Sequence, residues 1–239
     1  MSHPFFSVPT PISIGHRGAA GVVPENTLES FRRGLEDGAA IVETDLHATR
    51  DGVLVLLHDD DVARTTDGAG AVSGMTLAEL KRLDAGYRFA ADGRFPFRGQ
   101  GLRVPTLEEA FDALPGARFN IEIKEAGAGV VEKTLETIAR AGRAETTLLA
   151  AEKDPIMASI RDEVARTGIA VAIGACVGDV LRCVHGRVFD PPALHDPHCP
   201  PELRGAWNKL QTALDDTADS ITFQQLLDES ADKAKMYYI

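Results

Sequence analysis

At 239 residues and 44% hydrophobic content, the chain is long enough to bury a full core and fits the size of one α/β barrel domain. A formal charge of −11 argues against a general nucleic-acid or anionic-membrane surface, because either needs a basic field to offset phosphate repulsion. Any anionic substrate must therefore be met by local positive groups.

Met1 to Pro11 carries no basic stretch followed by an apolar core, and no later run approaches membrane-spanning length. Cys176, Cys183 and Cys199 are an odd count without CxxC spacing, which fits reduced thiols better than a disulfide framework or a zinc site. Together these features point to a cytoplasmic protein without stable membrane insertion.

In chain order, Ile12 to Gly15 reads as the first strand. Asn26 with Glu29 three residues on reads as the cap of a helix whose inner face carries Leu28, Phe31 and Leu35, ending near Gly38. Ala40 to Leu46 and Val53 to His58 are the next strands, joined by a tight turn at Arg50-Asp51-Gly52 and so without a crossover helix. Asp59 to Arg103 is Gly-rich and weakly periodic, an expected insertion with one short helix over Thr76 to Leu83. A capping box at Thr106 and Glu109 opens a helix carrying Leu107, Phe111 and Leu114. Strands over Arg118 to Lys124, Thr146 to Ala151 and Ile169 to Gly174 then alternate with helices over Val130 to Ala141 and Pro155 to Arg166.

Strands alternating with helices predict a parallel sheet. The fold class is α/β, with residues 1–186 as the main domain. Beyond Gly186, Asp190-Pro-Pro, Asp196-Pro-His and Pro200-Pro break regular structure, and Trp207 to Leu214 and Phe223 to Lys235 read as helical. Residues 187–239 are thus an atypical Pro-rich and helical segment in which no seventh or eighth strand is recognisable.

In a parallel barrel, polar residues ending different strands become neighbours without being close in sequence. Glu43 and Asp45 share one side of a strand, as do Glu122 and Lys124, so three carboxylates can meet. Oxygen-only ligation suits one Mg²⁺ or Ca²⁺, which would polarise a phosphoryl group. His16 and His58 end two further strands and can serve as general acid and base, while Arg17 and Lys124 can hold phosphate oxygens. Taken singly each signal has a bland reading: a Glu-x-Asp pair is often a solvated edge, and a strand-end His is more often a structural hydrogen-bonder. Glu25 and Asn26 read as capping residues, His47 as a loop residue, and His185, His195 and His198 as solvent-facing.

Gly15-His-Arg-Gly18, Pro24-Glu-Asn-Thr27, Glu43-Thr-Asp45, Thr49-Arg-Asp-Gly52, Leu57-His-Asp59, Arg64-Thr-Thr66, Val104-Pro-Thr-Leu107 and Ile121-Glu-Ile-Lys124 together resemble the glycerophosphodiester phosphodiesterases over residues 12–185. The resemblance implies a TIM-type (β/α) barrel with a small insertion after strand 3. It also implies metal-dependent hydrolysis of a small-molecule glycerophosphodiester to sn-glycerol 3-phosphate and an alcohol. By the family pattern His16 and His58 are the acid and base, Glu43, Asp45 and Glu122 bind the divalent metal, and Arg17 and Lys124 contact phosphate.

Two departures stand out. Ala150-Ala151-Glu152 replaces a Ser-Phe pair at the fifth strand's end, and the family's closing Trp-Thr and Thr-Asp-x-Pro motifs are missing after Gly186. An unclosed barrel would leave two strand edges unpaired unless the tail or a second subunit covers them. Rival readings are a truncated or rearranged relative acting as a binding module, and a lysophospholipase D-like hydrolase on the same scaffold.

Overall fold

Along one strand Ile41, Glu43, Asp45 and His47 alternate with Val42, Thr44, Leu46 and Ala48, and all but the half-buried Ala48 are buried. A strand buried on both faces is what a parallel sheet under helices requires. The computed structural model describes residues 3–8, 12–125, 127, 129–174 and 209–210. The chain divides into two compact units, Met1–Ile173 and Gly174–Ile239. The domain boundary expected at Gly186, the three cysteines, the three tail histidines and the region where strands 7 and 8 would fall lie outside the described residues.

Six strands form one sheet in the first unit: β1 (Ile14–Gly15), β2 (Ile41–Ala48), β3 (Leu54–Leu56), β4 (Phe119–Ile123), β5 (Thr147–Ala150) and β6 (Ala172–Ile173). Their order is β1-β2-β4-β5-β6, all parallel, with β3 antiparallel to the far end of β2. The helices are α1 (Leu28–Glu36), α2 (Leu77–Leu80), α3 (Leu107–Ala113), α4 (Val130–Arg140) and α5 (Asp154–Thr167). The alternating rhythm read from the sequence is present, although β1 and β6 pair over only two residues each.

One face of the sheet packs against the helices. Val42, Leu46, Phe119, Ile121, Ile123 and Leu149 meet Phe31, Phe111, Leu135, Ile138 and Ile160 there. The Phe119 ring takes edge contacts from both Phe31 and Phe111. The opposite face is filled at its base by Phe5, Ile41, Leu148 and Ala172. Phe5, from a single helical turn at Pro4–Phe6, therefore acts as an apolar floor, and the polar residues of β2 and β4 stand further along the same face.

The insertion after β3 has a small core of its own. Val62, Val72, Leu80, Ala85, Leu102 and Val104 close on Val55 and Leu57, which tie it to the sheet. Capping boxes are present at Thr76/Glu79 and Thr106/Glu109, as their spacing predicts.

The start of α1 differs from expectation. Thr27 caps it, accepting a hydrogen bond from the Ser30 backbone, and Asn26 stands one residue earlier at φ +52. Threonine caps nearly as well as asparagine, whereas asparagine tolerates the left-handed region better, so each residue sits where its chemistry costs least. Asn26 is thereby freed to point elsewhere.

Candidate active site

Strand parity places Glu43, Asp45, Asn120 and Glu122 on the face away from the helices. Asp45 and Glu122 are register partners on adjacent strands, and Glu43 faces Asn120. One oxygen from each of Glu43, Asp45 and Glu122 lies within 4.8 Å of the others. Like charges directly opposed across strands are unfavourable unless a cation offsets them. Lys124 does so in part, its Nζ lying 3.0 Å from Asp45 Oδ1 and 2.8 Å from Glu122 Oε1.

The electrostatics follow from this crowding. Burial and the Asp45 charge push the Glu43 carboxyl up to about 8. Burial also opposes ionisation of Asp45, but Lys124, the Asn26 amide and Arg17 outweigh it and hold that carboxyl below its usual range. Desolvation likewise disfavours the Lys124 ammonium, and the two carboxylates overcome it, raising its pKa.

Asn26, read from the sequence as a cap, belongs to this cluster. Its Nδ2 donates to Asp45 Oδ2 at 2.9 Å, and its Oδ1 accepts from Thr44 Oγ1 at 2.7 Å. Both groups are buried, so the amide fixes the Asp45 rotamer.

His16 and Arg17 arrive on the turn after β1. Gly18 N–H donates to the Gly15 carbonyl at 3.1 Å, and Arg17, at φ +52, donates its backbone N–H to Glu43 Oε2 at 2.9 Å. The turn is anchored to α1 through Ala19 N–H, which donates to both the carbonyl and the hydroxyl of Ser30. Gly18 has φ +84, and a Cβ there would lie 2.5 Å from Ser30 carbonyl and hydroxyl atoms. Gly18→Ala is expected to cost about 2–4 kcal/mol, the sum of left-handed strain and a backbone clash, read as a lower denaturation midpoint.

His16 is half exposed, with Nε2 3.9 Å from Glu43 Oε2. Burial of the ring, with help from the Arg17 charge, lowers its pKa and favours the neutral imidazole. Arg17 lies deeper, its Nη1 donating to Glu25 Oε1 at 3.0 Å and its Nε 3.5 Å from Asp45 Oδ2. That Nε is buried without a hydrogen-bond partner among the described residues.

His58 reaches the site by a different route from the parallel strands. β2 runs past the carboxylates to Ala48, turns at Arg50–Gly52, and β3 comes back antiparallel until Leu57 N–H donates to the Asp45 carbonyl at 3.0 Å. It is this return that sets His58 beside the cluster, not the convergence of parallel strand ends. His47 lies on β2 rather than in a loop and is buried, and its Nε2 donates to the His58 carbonyl at 3.2 Å. His58 Nδ1 is 2.6 Å from Asp59 Oδ1. An ionised carboxylate only accepts, so Nδ1 carries the proton and Nε2 is left to exchange one with a ligand. Burial disfavours the Asp59 charge, yet hydrogen bonds from Arg64 and His58 hold its pKa at about 2.

A cleft of about 310 Å³ opens here, lined by His58, Asp59, Glu122, Lys124, Glu152 and Lys153. All seven residues singled out from the sequence therefore sit on or beside one surface: Glu43, Asp45 and Glu122 grouped together, Lys124 against Asp45 and Glu122, Arg17 and His16 against Glu43 and Asp45, and His58 at the cleft. Glu25, Asn26, His47, Asp59 and Arg64 are the participants that the motif reasoning left out.

Residues 16–159 match the glycerophosphoryl diester phosphodiesterase family. The chain belongs to that family. A glycerophosphodiester phosphodiesterase from Caldanaerobacter subterraneus subsp. tengcongensis is 43% identical over 130 residues, covering 52% of this chain and 51% of that one. Among solved structures, a glycerophosphodiester phosphodiesterase from Agrobacterium tumefaciens strain C58 superposes with a TM-score of 0.62 at 25% identity over 82% of each chain. An Oleispira antarctica phosphodiesterase, solved in complex with the product sn-glycerol-3-phosphate, is 30% identical with a TM-score of 0.55, covering 69% of this chain and 65% of that one.

The fold is thus the family's α/β architecture of TIM-barrel type, with the β2–β3 hairpin followed by the insertion after β3. The chain spans about half the length of the curated relatives it matches most strongly. Among the described residues, no helix is long and apolar enough to cross a membrane.

Proposed function

We propose that this chain hydrolyses a glycerophosphodiester to sn-glycerol 3-phosphate and an alcohol, using one divalent cation, Mg²⁺ or Ca²⁺, held by Glu43, Asp45 and Glu122. The observation that carries this reading is the approach of three carboxylate oxygens to within 4.8 Å on one sheet face. That donor set is all oxygen, which fits a hard cation. Burial first, and then the charges of Asp45 and Glu122, raise Glu43 to about 8, and a bound cation would offset that repulsion. When bound, the cation polarises the phosphoryl group and offsets its charge.

The chain's own residues supply the remainder. Lys124 has three donors and gives two to carboxylates, leaving one for a non-bridging phosphate oxygen. Arg17 adds a second positive group on the other side of Asp45. His16 and His58 act as the general acid and base pair, one taking a proton from the attacking oxygen and the other giving one to the leaving alkoxide. His16 is suited to accept because its pKa is lowered, and His58 is oriented for transfer at Nε2 by Asp59. The catalytic barrel is assigned to residues 1–186, with 187–239 as a separate segment, and the odd cysteine count supports a reducing, cytoplasmic setting.

The test is glycerol 3-phosphate release from glycerophosphocholine and glycerophosphoethanolamine by the full chain with Mg²⁺, with Ca²⁺ and with chelator. Release that depends on the cation is expected. A folded protein that binds the cation and releases nothing would move the assignment to a binding module.

A further inference from the structure

Arg64 is the last residue of a single helical turn, Val62–Arg64, in the insertion, and joins two parts of the site that are otherwise separate in sequence. Its Nε donates to Asp59 Oδ2 at 2.5 Å and its Nη2 reaches Asp59 Oδ1 at 3.2 Å. The same guanidinium donates from Nη1 to Glu25 Oε2 at 2.9 Å and from Nη2 to Glu25 Oε1 at 2.6 Å. Asp59 in turn holds His58, and Glu25 holds Arg17, which stands 3.5 Å from Asp45. A continuous chain of contacts thus runs His58–Asp59–Arg64–Glu25–Arg17–Asp45.

We propose that Arg64 is a positioning residue that locks the proton-transferring His58 and the phosphate-holding Arg17 into one geometry by clamping Asp59 and Glu25 with its two edges. This rests on the hydrolase reading above, since it gives His58 and Arg17 the roles assigned there. Fixing rotamers is a task for a planar fork with several donors, and a lysine ammonium would act as a point charge unable to grip both carboxylates in this way. Stability is a poor explanation for the arrangement, because the Arg64 side chain is 46% exposed and half-exposed ion pairs add little to folding. What it does determine is direction. Without Arg64, Asp59 is free to rotate away from Nδ1, and Glu25 is free to draw Arg17 off Asp45. Loss of such an outer partner lowers activity by about 10- to 100-fold.

The experiment uses the full chain carrying Arg64→Ala, Arg64→Lys, Asp59→Asn and Glu25→Gln, together with the doubles Arg64→Ala/Asp59→Asn and Arg64→Ala/Glu25→Gln. Each is assayed on glycerophosphocholine with saturating cation, and Arg140→Ala, which removes an exposed ion pair to Glu108, is the control. Asp59→Asn should act mainly on kcat and Glu25→Gln mainly on KM, with Arg64→Ala moving both. Each double should be little worse than its poorer single, and Arg64→Lys should recover less than half of the lost kcat on a logarithmic scale. Strictly additive effects, or full recovery with lysine, would overturn the proposal. Should Arg64→Ala fail to fold, Arg64→Gln takes its place in both cycles.

A second readout does not depend on turnover. The His58 Nδ1–H proton, held by Asp59, should give a downfield imidazole resonance in the unsubstituted chain that disappears in Asp59→Asn and broadens or shifts in Arg64→Ala. An unshifted resonance in Arg64→Ala would show that Arg64 does not position His58. If the unsubstituted chain hydrolyses nothing, the hydrolase reading fails, while this resonance still reports whether the clamp exists.

Discussion

His58→Ala is expected to lower kcat on a glycerophosphodiester by about 10²- to 10⁴-fold, the span for loss of a general acid or base, while the melting temperature changes little. The ring is only partly buried, so its removal leaves the apolar layers around Phe119 and around Phe5 intact. Its role is carried by Nε2, because Nδ1 is committed to Asp59. KM should move less than kcat, since the groups assigned to the phosphate are Arg17, on the turn after β1, and Lys124, just past the end of β4. His16→Ala should produce a loss of the same order, because a diester hydrolysis needs a proton removed on one side of phosphorus and delivered on the other. Steady-state kinetics on both variants, with folding checked by melting, decide the matter. Unchanged turnover in either would remove that histidine from the mechanism.

Much of this arrangement is legible in the chain because it is local. The capping boxes at Thr76/Glu79 and Thr106/Glu109 declare two helix starts from residues three apart, and both are present. Parity alone puts Glu43 with Asp45 and Glu122 with Lys124, and the observed register then sets Asp45 against Glu122.

The participants that pattern reasoning leaves out are those whose partners are distant or whose backbone is unusual. Asn26 looks like a cap until its φ of +52 hands that task to Thr27, and its partners Thr44 and Asp45 lie 18 and 19 residues away. Glu25 and Arg64 are 39 residues apart and meet only because the insertion folds back over the turn after β1. His58 is recognised as a site residue, yet the path that brings it there is an antiparallel return rather than a strand of the parallel set. The one sequence signal for Glu25 and Asn26 is their place in Pro24-Glu-Asn-Thr27, which gives a resemblance but no geometry.

Binding of Mg²⁺ or Ca²⁺ at pH 7 is expected to release close to one proton, and this follows from the Glu43 carboxyl. Its folded-state pKa is raised to about 8 by burial and by the neighbouring Asp45 charge, so at pH 7 without cation it holds its proton most of the time. A hard cation requires the ionised carboxylate, and binding must expel that proton. Calorimetric titration in buffers of differing ionisation enthalpy measures the number directly. The release should fade as the pH rises through 8, where the proton is already lost. Glu43→Gln should abolish it and weaken cation binding, because a charged ligand is gone.

The same shift fixes the sign of the pH dependence of folding. A carboxyl whose pKa is higher folded than unfolded binds more protons in the folded state between its ordinary value of 4.5 and about 8, so its contribution to stability falls as pH rises across that window. Saturating cation supplies the missing positive charge and should flatten the slope, leaving a stability gain from cation that grows with pH over the same range. A cation effect on melting that is constant from pH 5 to pH 8, with no proton released, would mean that Glu43 is ionised before binding. In that case the crowding of Glu43, Asp45 and Glu122 would already be neutralised by Lys124 and Arg17 alone.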